Sequence, residues 1–194
     1  REFNQDIGDW DVSNGTNFGA MFRETSFNHD IGDWDVSKGS AFYHMFFLNK
    51  VFNQDIGDWD VSNGRDFVAM FKGAEAFNQD LGDWDVSEAV SMQYMFRGSS
   101  FDQDIGDWDV SNVDTFEGMF ASTSFNQDIS EWDVSNARYF NNMFLFNKEF
   151  DQNLQYWNTD RLYNSKGMFG WADKMLAKGW SYRPSKSDFG KIRI

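Results

Sequence analysis

The chain is 194 residues long with 22 Phe, 9 Trp and 6 Tyr, so 19% of it is aromatic, and its formal net charge is −14. So many large rings can be buried against one another that disorder is excluded; the absence of Cys excludes disulfides, thiolate metal sites and a Cys nucleophile. A single Pro, Pro184, excludes polyproline and collagen-like structure, no apolar run approaches the ~18 residues of a membrane-spanning helix, and the acidic balance argues against nucleic acid as the main partner.

In chain order, the block Phe3-Asn4-Gln5-Asp6-Ile7-Gly8-Asp9-Trp10-Asp11-Val12-Ser13 returns at Phe27, Phe52, Phe77, Phe101, Phe125 and, degraded, at Phe150. Each block is followed by a Met-Phe pair, first Met21-Phe22 and last Met168-Phe169, with an apolar residue such as Phe18 or Phe42 three positions before the Met. Ser165 breaks this in the seventh copy. A repeat of this length is too short for helix pairs (~33 residues or more) or propeller blades (~40), and suits one coil of a solenoid.

Within the unit, alternation over Gly8-Asp9-Trp10-Asp11-Val12 predicts a half-buried strand with Trp10 and Val12 on one face and Asp9 and Asp11 on the other. Asn4-Gln5-Asp6 and Gly8 read as a turn, and Asn17 to Phe22 as one or two helical or 3₁₀ turns. Stacking at about 4.8 Å would give a rod of roughly 30 Å. Identical side chains would form internal ladders, and the open ends would need caps. The expected fold is a leucine-rich-repeat-like solenoid: one short parallel β-strand per coil, an irregular or short helical return, and seven coils over 1–169.

Three positions carry 18 of the 31 acidic residues. Column one starts at Asp6 and runs to Asp128. Column two is Asp9, Asp33, Asp58, Asp83, Asp107 and Glu131; column three is Asp11, Asp35, Asp60, Asp85, Asp109 and Asp133. All three lose their charge in the seventh copy, at Asn153, Tyr156 and Asn158. Carboxylates ~5 Å apart repel by roughly 1 kcal/mol even in water, so the columns need an offset. Backbone N–H groups bonded to Asp6, with columns two and three fanned into water, would supply one. A cationic partner along columns two and three, or Ca²⁺ held by Asp9, Asp11, Asp33 and Asp35 of adjacent coils, would supply another. No Ca²⁺-loop motif with a closing Glu supports the metal.

The recurrent Ser13 column is expected to bond backbone, and the Gln5 column to form an amide ladder in which His29 takes one place. Neither His29 nor His44 has a second ligand at metal spacing. No nucleophile elbow, phosphate loop or metalloprotease motif occurs, and no carboxylate pair is singular as a catalytic pair should be. The expectation is therefore no enzyme, no catalytic residue and no cofactor. Asn14-Gly15-Thr16 is a lone sequon. The chain starts inside a repeat, at Arg1-Glu2-Phe3, which reads as a piece of a longer precursor.

Beyond the repeats the composition changes. Residues 1–160 carry 9 Lys and Arg against 29 Asp and Glu, a net −20, whereas residues 161–194 carry 8 against 2, a net +6. Trp171 to Lys178 reads as a short amphipathic helix stopped by Gly179, a cap over 170–180 in which Trp171, Met175 and Leu176 cover the last coil. A basic tail over 181–194 carries Arg183, Lys186, Lys191 and Arg193. It either lies on the acidic columns of its own molecule or docks on an acidic neighbour, lipid head groups or another copy.

The unit FNQDIGDWDVSN followed by F..MF resembles the 24–26-residue repeat of the BspA-like bacterial surface proteins and mycoplasma lipoproteins, the domain of unknown function 285, which is grouped with leucine-rich repeats. Ile7-x-x-Trp10-x-Val12 occupies the strand pattern of that repeat, and Val113-x-x-Phe116-x-x-Met119-Phe120 its return. Gly15, Gly39, Gly64, Ala89 and Ala137 depart from the Val of the pattern, as does Asn158-Thr159-Asp160 from Asp-Val-Ser. The resemblance implies a surface or secreted protein engaged in adhesion or protein binding. Together with the composition it points to a non-catalytic binding or scaffold module, extracellular, on the cell surface or in an organellar lumen, presenting an acidic face to a basic protein partner. The competing expectation is an architectural subunit of a larger, membrane-associated or filamentous assembly, docked end to end or through its basic C-terminal arm.

Overall fold

The structure is a computed structural model and describes residues 3–181 and 184–189. Seven repeats, starting at Phe3, Phe27, Phe52, Phe77, Phe101, Phe125 and Phe150, are stacked one on the next. The secondary structure corrects the expectation. Among the described residues there is no β-sheet, and helix is confined to α1 (Asp173–Ala177) and a 3₁₀ turn at Lys186–Asp188. The strand-per-coil solenoid of the leucine-rich-repeat kind is therefore not what this sequence forms. Repeats meet instead through single parallel bridges at one position per repeat, from Asn17–Ala41 to Tyr139–Asn164.

The missing strand has a local cause. Asp6 Oδ1 accepts the Gly8 N–H at 3.1 Å, and the Trp10 N–H donates back to the Ile7 carbonyl at 3.1 Å. Asp11 Oδ1 accepts the Ser13 N–H at 3.1 Å, and the Gly15 N–H bonds the Val12 carbonyl at 2.7 Å. Residues 6–15 are thus two turns back to back, and no run of free N–H groups remains for a ladder. Alternation still sorts the side chains: Trp34, Val36 and their equivalents in repeats 3 to 6 are buried while Asp33 and Asp35 are exposed. Pattern and secondary structure separate here, because the turns preserve the in-out order that a strand would have given.

The second half of the unit solves the backbone problem differently. Met21, Arg23 and Thr25 donate to the carbonyls of Phe18, Ala20 and Phe22, each three residues back in the same repeat. The intervening N–H groups of Phe18, Ala20, Phe22 and Glu24 donate to Ala41, Tyr43, Met45 and Phe47 of the next repeat at 2.7–2.9 Å. Every second bond closes a turn and every other one ties two repeats. This alternation demands two left-handed residues per repeat, four apart. Ten of these are not glycine, including Ala20, Glu24, His44, Leu48 and Ala69 at φ 51–57°; Gly73, Gly98, Gly118 and Gly167 fill the other four. A left-handed L-residue costs roughly 1 kcal/mol or more, which stacking must offset.

The core is aromatic throughout. Phe22, Phe46, Phe71, Phe96 and their successors stack on the Phe that opens the next repeat with centroids 3.9–4.0 Å apart. The same rings form a column from repeat to repeat at 5.5–5.9 Å. Beside it runs the Trp column, in which each indole Nε1–H reaches back to the Ile or Leu carbonyl of the preceding repeat, from Trp34 on Ile7 at 3.2 Å to Trp157 on Ile129 at 3.0 Å. The indole serves as the rung that a backbone N–H supplies in a sheet. Trp10, which has no such partner, is 58% exposed against 3% for Trp84.

At the other end, Met175, Trp180 and Phe189 are buried; Phe189 lies 6.4 Å from Trp157 and Trp180 5.3 Å from Phe169. Trp171 and Leu176, expected in the cap, are exposed, and Trp171 stacks on Phe146 at 4.9 Å instead.

Candidate functional site

The three acidic columns are chemically unequal. In column one every side chain closes its own turn: Asp30, Asp55, Asp80, Asp104 and Asp128 each accept the N–H two residues on, as Asp6 does, and Asn153 does the same in repeat 7. In column three Asp11, Asp35, Asp60 and Asp85 accept both the N–H and the hydroxyl of the following Ser, the latter at 2.6 Å. Asp109 and Asp133 accept the Ser N–H, and Asn158 accepts the N–H of Asp160. The Ser13 hydroxyl column therefore serves Asp rather than backbone. Those Ser hydroxyls, then their N–H groups, hold Asp11, Asp35, Asp85 and Asp133 below the usual carboxylate range.

Column two is different. Asp9, Asp33, Asp58, Asp83, Asp107 and Glu131 are all exposed, at the outer corner of the Ile7–Trp10 turn and its equivalents, and accept no hydrogen bond among the described residues. Their like charges, one in each of repeats 1 to 6, have no hydrogen-bond or ion-pair partner among the described residues. This is the part of the acidic face that folding does not use. Around the exposed Trp10 the column opens into a cavity of about 470 Å³ lined by Asp6, Asp9, Asp11, Asp30 and Asp33.

Of the weak Ca²⁺ candidates, Asp11 and Asp35 each have Oδ1 occupied by a Ser, and no three His, Asp or Glu side chains converge as a metal would require among the described residues. Asp9 and Asp33 belong to the free column. The Gln column bonds the preceding repeat: Gln54, Gln79, Gln103, Gln127 and Gln152 donate to the backbone carbonyl of its Asn or Asp, Gln54 and Gln152 also to that Asn's side-chain amide oxygen, and the His29 ring holds Asn4 O in the same place at 3.0 Å.

A profile of the family described as "Mycoplasma protein of unknown function, DUF285" matches residues 1–100 and again 84–182. The chain belongs to this family. No curated protein matches the chain, and no solved structure does. The family description assigns no activity to its members. Among the described residues no helix is long and apolar enough to cross a membrane.

The DUF285 repeats also hold two buried residues that pattern reading passed over. Asn49 and Asn147 are fully buried; their Nδ2 donates to Phe27 O and Phe125 O, and their Oδ1 accepts from Phe52 N and Phe150 N. Both stand just before a repeat begins, so an Asn three residues ahead of the opening Phe was the available signal. Of the basic C-terminal residues, Arg183, Lys191 and Arg193 lie outside the described residues. Lys186 Nζ bonds the Asp160 carbonyl, Lys174 pairs with Glu149 at 2.9 Å and Lys178 with Asp151 at 2.5 Å. These described cations are engaged with repeats 6 and 7 of their own chain.

Proposed function

We propose that the chain is a non-catalytic binding module of a surface-exposed or secreted protein, and that its column of Asp9, Asp33, Asp58, Asp83, Asp107 and Glu131 receives a cationic protein partner. The observation that supports this is the division of labour among the acids: two columns are consumed by turns, and the third, equally regular, is exposed and unbonded. A row of fixed carboxylates on a rigid stack raises the local concentration of basic groups and steers them, an effect that salt screens. The same regularity disfavours catalysis, since repeated identical carboxylates offer no singular acid-base pair.

The test compares the chain with a variant carrying Asp33→Asn, Asp58→Asn, Asp83→Asn and Asp107→Asn, using poly-L-lysine as the probe. Binding of the parent chain is expected to weaken at least about tenfold between ~20 and ~200 mM salt, and the variant to bind at least about tenfold more weakly at the lower salt. Equal binding by both chains would refute the assignment.

A further inference from the structure

Cations are scarce in this chain, yet three of them stand in one row. In the turn segment Arg23, Phe47, Lys72 and Arg97 occupy the same position of repeats 1 to 4, directly after the Met-Phe pair. The Arg23 guanidinium lies 4.8 Å from the centre of the Phe47 ring. Lys72 Nζ lies 5.3 Å from Phe47 and 5.1 Å from Tyr94, and Arg97 lies 5.6 Å from Tyr94. The result is three cations held against two rings.

Two features make it more than a solvated charge run. Arg23 pairs with Glu24, but neither Lys72 nor Arg97 has a carboxylate partner among the described residues, although the chain holds 31 acids. Burial, and then the neighbouring Arg97, pull the Lys72 ammonium below its ordinary range, so two like charges are held close without compensation. The rings also fix the cations: Tyr94 is tied by its hydroxyl to Glu117, and burial followed by that bond pushes its phenol up to about 12, so the ring stays neutral. Aromatic faces hold cations by about 0.5–2 kcal/mol each, which lowers the entropy lost when an anion docks.

We infer that this row docks on column two of a second copy of the same chain. The complementarity is one of charge and of period. Both rows are carried by the same stack, one position per repeat, so Lys72 and Arg97 in adjacent repeats match Asp58 and Asp83 in adjacent repeats, and Arg23, two repeats before Lys72, matches Asp9. A shift of one or two repeats toward repeat 6 of the acidic column keeps the match. The cation row and the acidic column lie on different segments of the repeat, so the contact is heterologous, and a heterologous contact extends into an open chain of copies unless its rotation closes. The net charge of −14 opposes association at long range, but screening over ~8 Å at physiological salt leaves the facing rows to decide. The inference rests on column two being free for cations, as proposed above.

Sedimentation velocity on the full chain from about 1 to about 300 μM, the range in which weak interfaces become populated, is the test. The expected result is a rising, concentration-dependent weight-average mass. It should be weakened at least about tenfold by Lys72→Glu with Arg97→Glu, by the milder Lys72→Gln with Arg97→Gln, and by Asp58→Lys with Asp83→Lys. Mixing the two charge-reversed chains should restore association. Both remain net negative, so general attraction cannot produce that rescue, and neither can a misfolded chain. A parent chain that stays monomeric throughout, or association indifferent to either pair, overturns the inference. Poly-L-lysine binding that persists in the monomeric case confines the failure to self-docking; loss of both condemns the reading of column two as well.

Discussion

Replacing Trp84 by Phe removes one indole rung from the middle of the stack. Trp84 is 3% exposed, its Nε1–H donates to Ile56 O at 3.0 Å, and that carbonyl also accepts the Trp59 N–H, so it is not left bare by the change. The loss is then one buried hydrogen bond, about 1 kcal/mol, plus the transfer and cavity terms of the missing ring atoms, about 1 to 2 kcal/mol more. The same substitution at Trp10, which is 58% exposed and has no carbonyl to reach, should cost less than about 0.5 kcal/mol. Urea denaturation followed by the fluorescence of the remaining tryptophans gives both values in one chain. Indole N–H exchange supplies a second readout: the protons of Trp34 to Trp157 are expected to exchange slowly and that of Trp10 fast. If Trp84→Phe costs no more than Trp10→Phe, or if all indole protons exchange alike, the rung account is wrong.

Three further outcomes follow from the same geometry. Asn147→Ala should destabilise by about 2 to 3 kcal/mol in urea, because a fully buried side chain bonded to Phe125 O and Phe150 N leaves both groups unsatisfied. Ala69→Gly should be neutral or stabilising and Ala121→Gly destabilising by about 1 kcal/mol, although both alanines are buried, because only Ala69 is left-handed, at φ 51°; equal melting shifts would contradict the turn assignment. The carboxyls of Asp11, Asp35, Asp85 and Asp133 are held low by their serines, so on acidification the unfolded chain takes up their protons first. Their contribution is present above pH ~4 and lost as pH falls through the folded values, and melting temperature between pH 6 and 3 should fall less steeply in a variant with Ser37→Ala and Ser87→Ala.

Much of the interior was legible in the sequence. The repeat, the burial of Trp34 and Val36, and the outward acids all follow from period and alternation. The strand did not, because alternation reports which side a residue faces and not where its N–H group goes. Asp6 was legible as a turn residue bonded to backbone N–H; Asp11 was the missed evidence, because an Asp two residues ahead of Ser13 claims that N–H and makes a second turn. The left-handed residues were hidden for another reason. Ala20, His44, Ala69 and Tyr94 share no side-chain signature, and only Gly118 and Gly167 at the same place hint at a positive φ. The acidic face was legible as one turn-closing column and two that fan into water; the difference between columns two and three needed the hydrogen bonds. The tail's charge was plain, yet the covering of repeat 7 by Trp180 and Phe189 in place of Trp171 depended on where the chain turns after Gly179.

Column two is unbonded while column three closes turns, and one paired experiment separates them. Asp33, Asp58, Asp83 and Asp107 are changed to Ala in one chain, and Asp35, Asp60, Asp85 and Asp109 in another, so that both lose the same charge. Each chain is measured for melting temperature and for poly-L-lysine binding at low salt. The column-two chain should melt at or above the parent temperature, since like charges are removed without a hydrogen bond, and should lose the salt-sensitive binding. The column-three chain should melt well below it, and Asn at those four positions should restore most of the loss, as Asn158 does in repeat 7. A column-two chain that melts lower than the column-three chain, or that still binds poly-L-lysine as the parent does, would contradict the account.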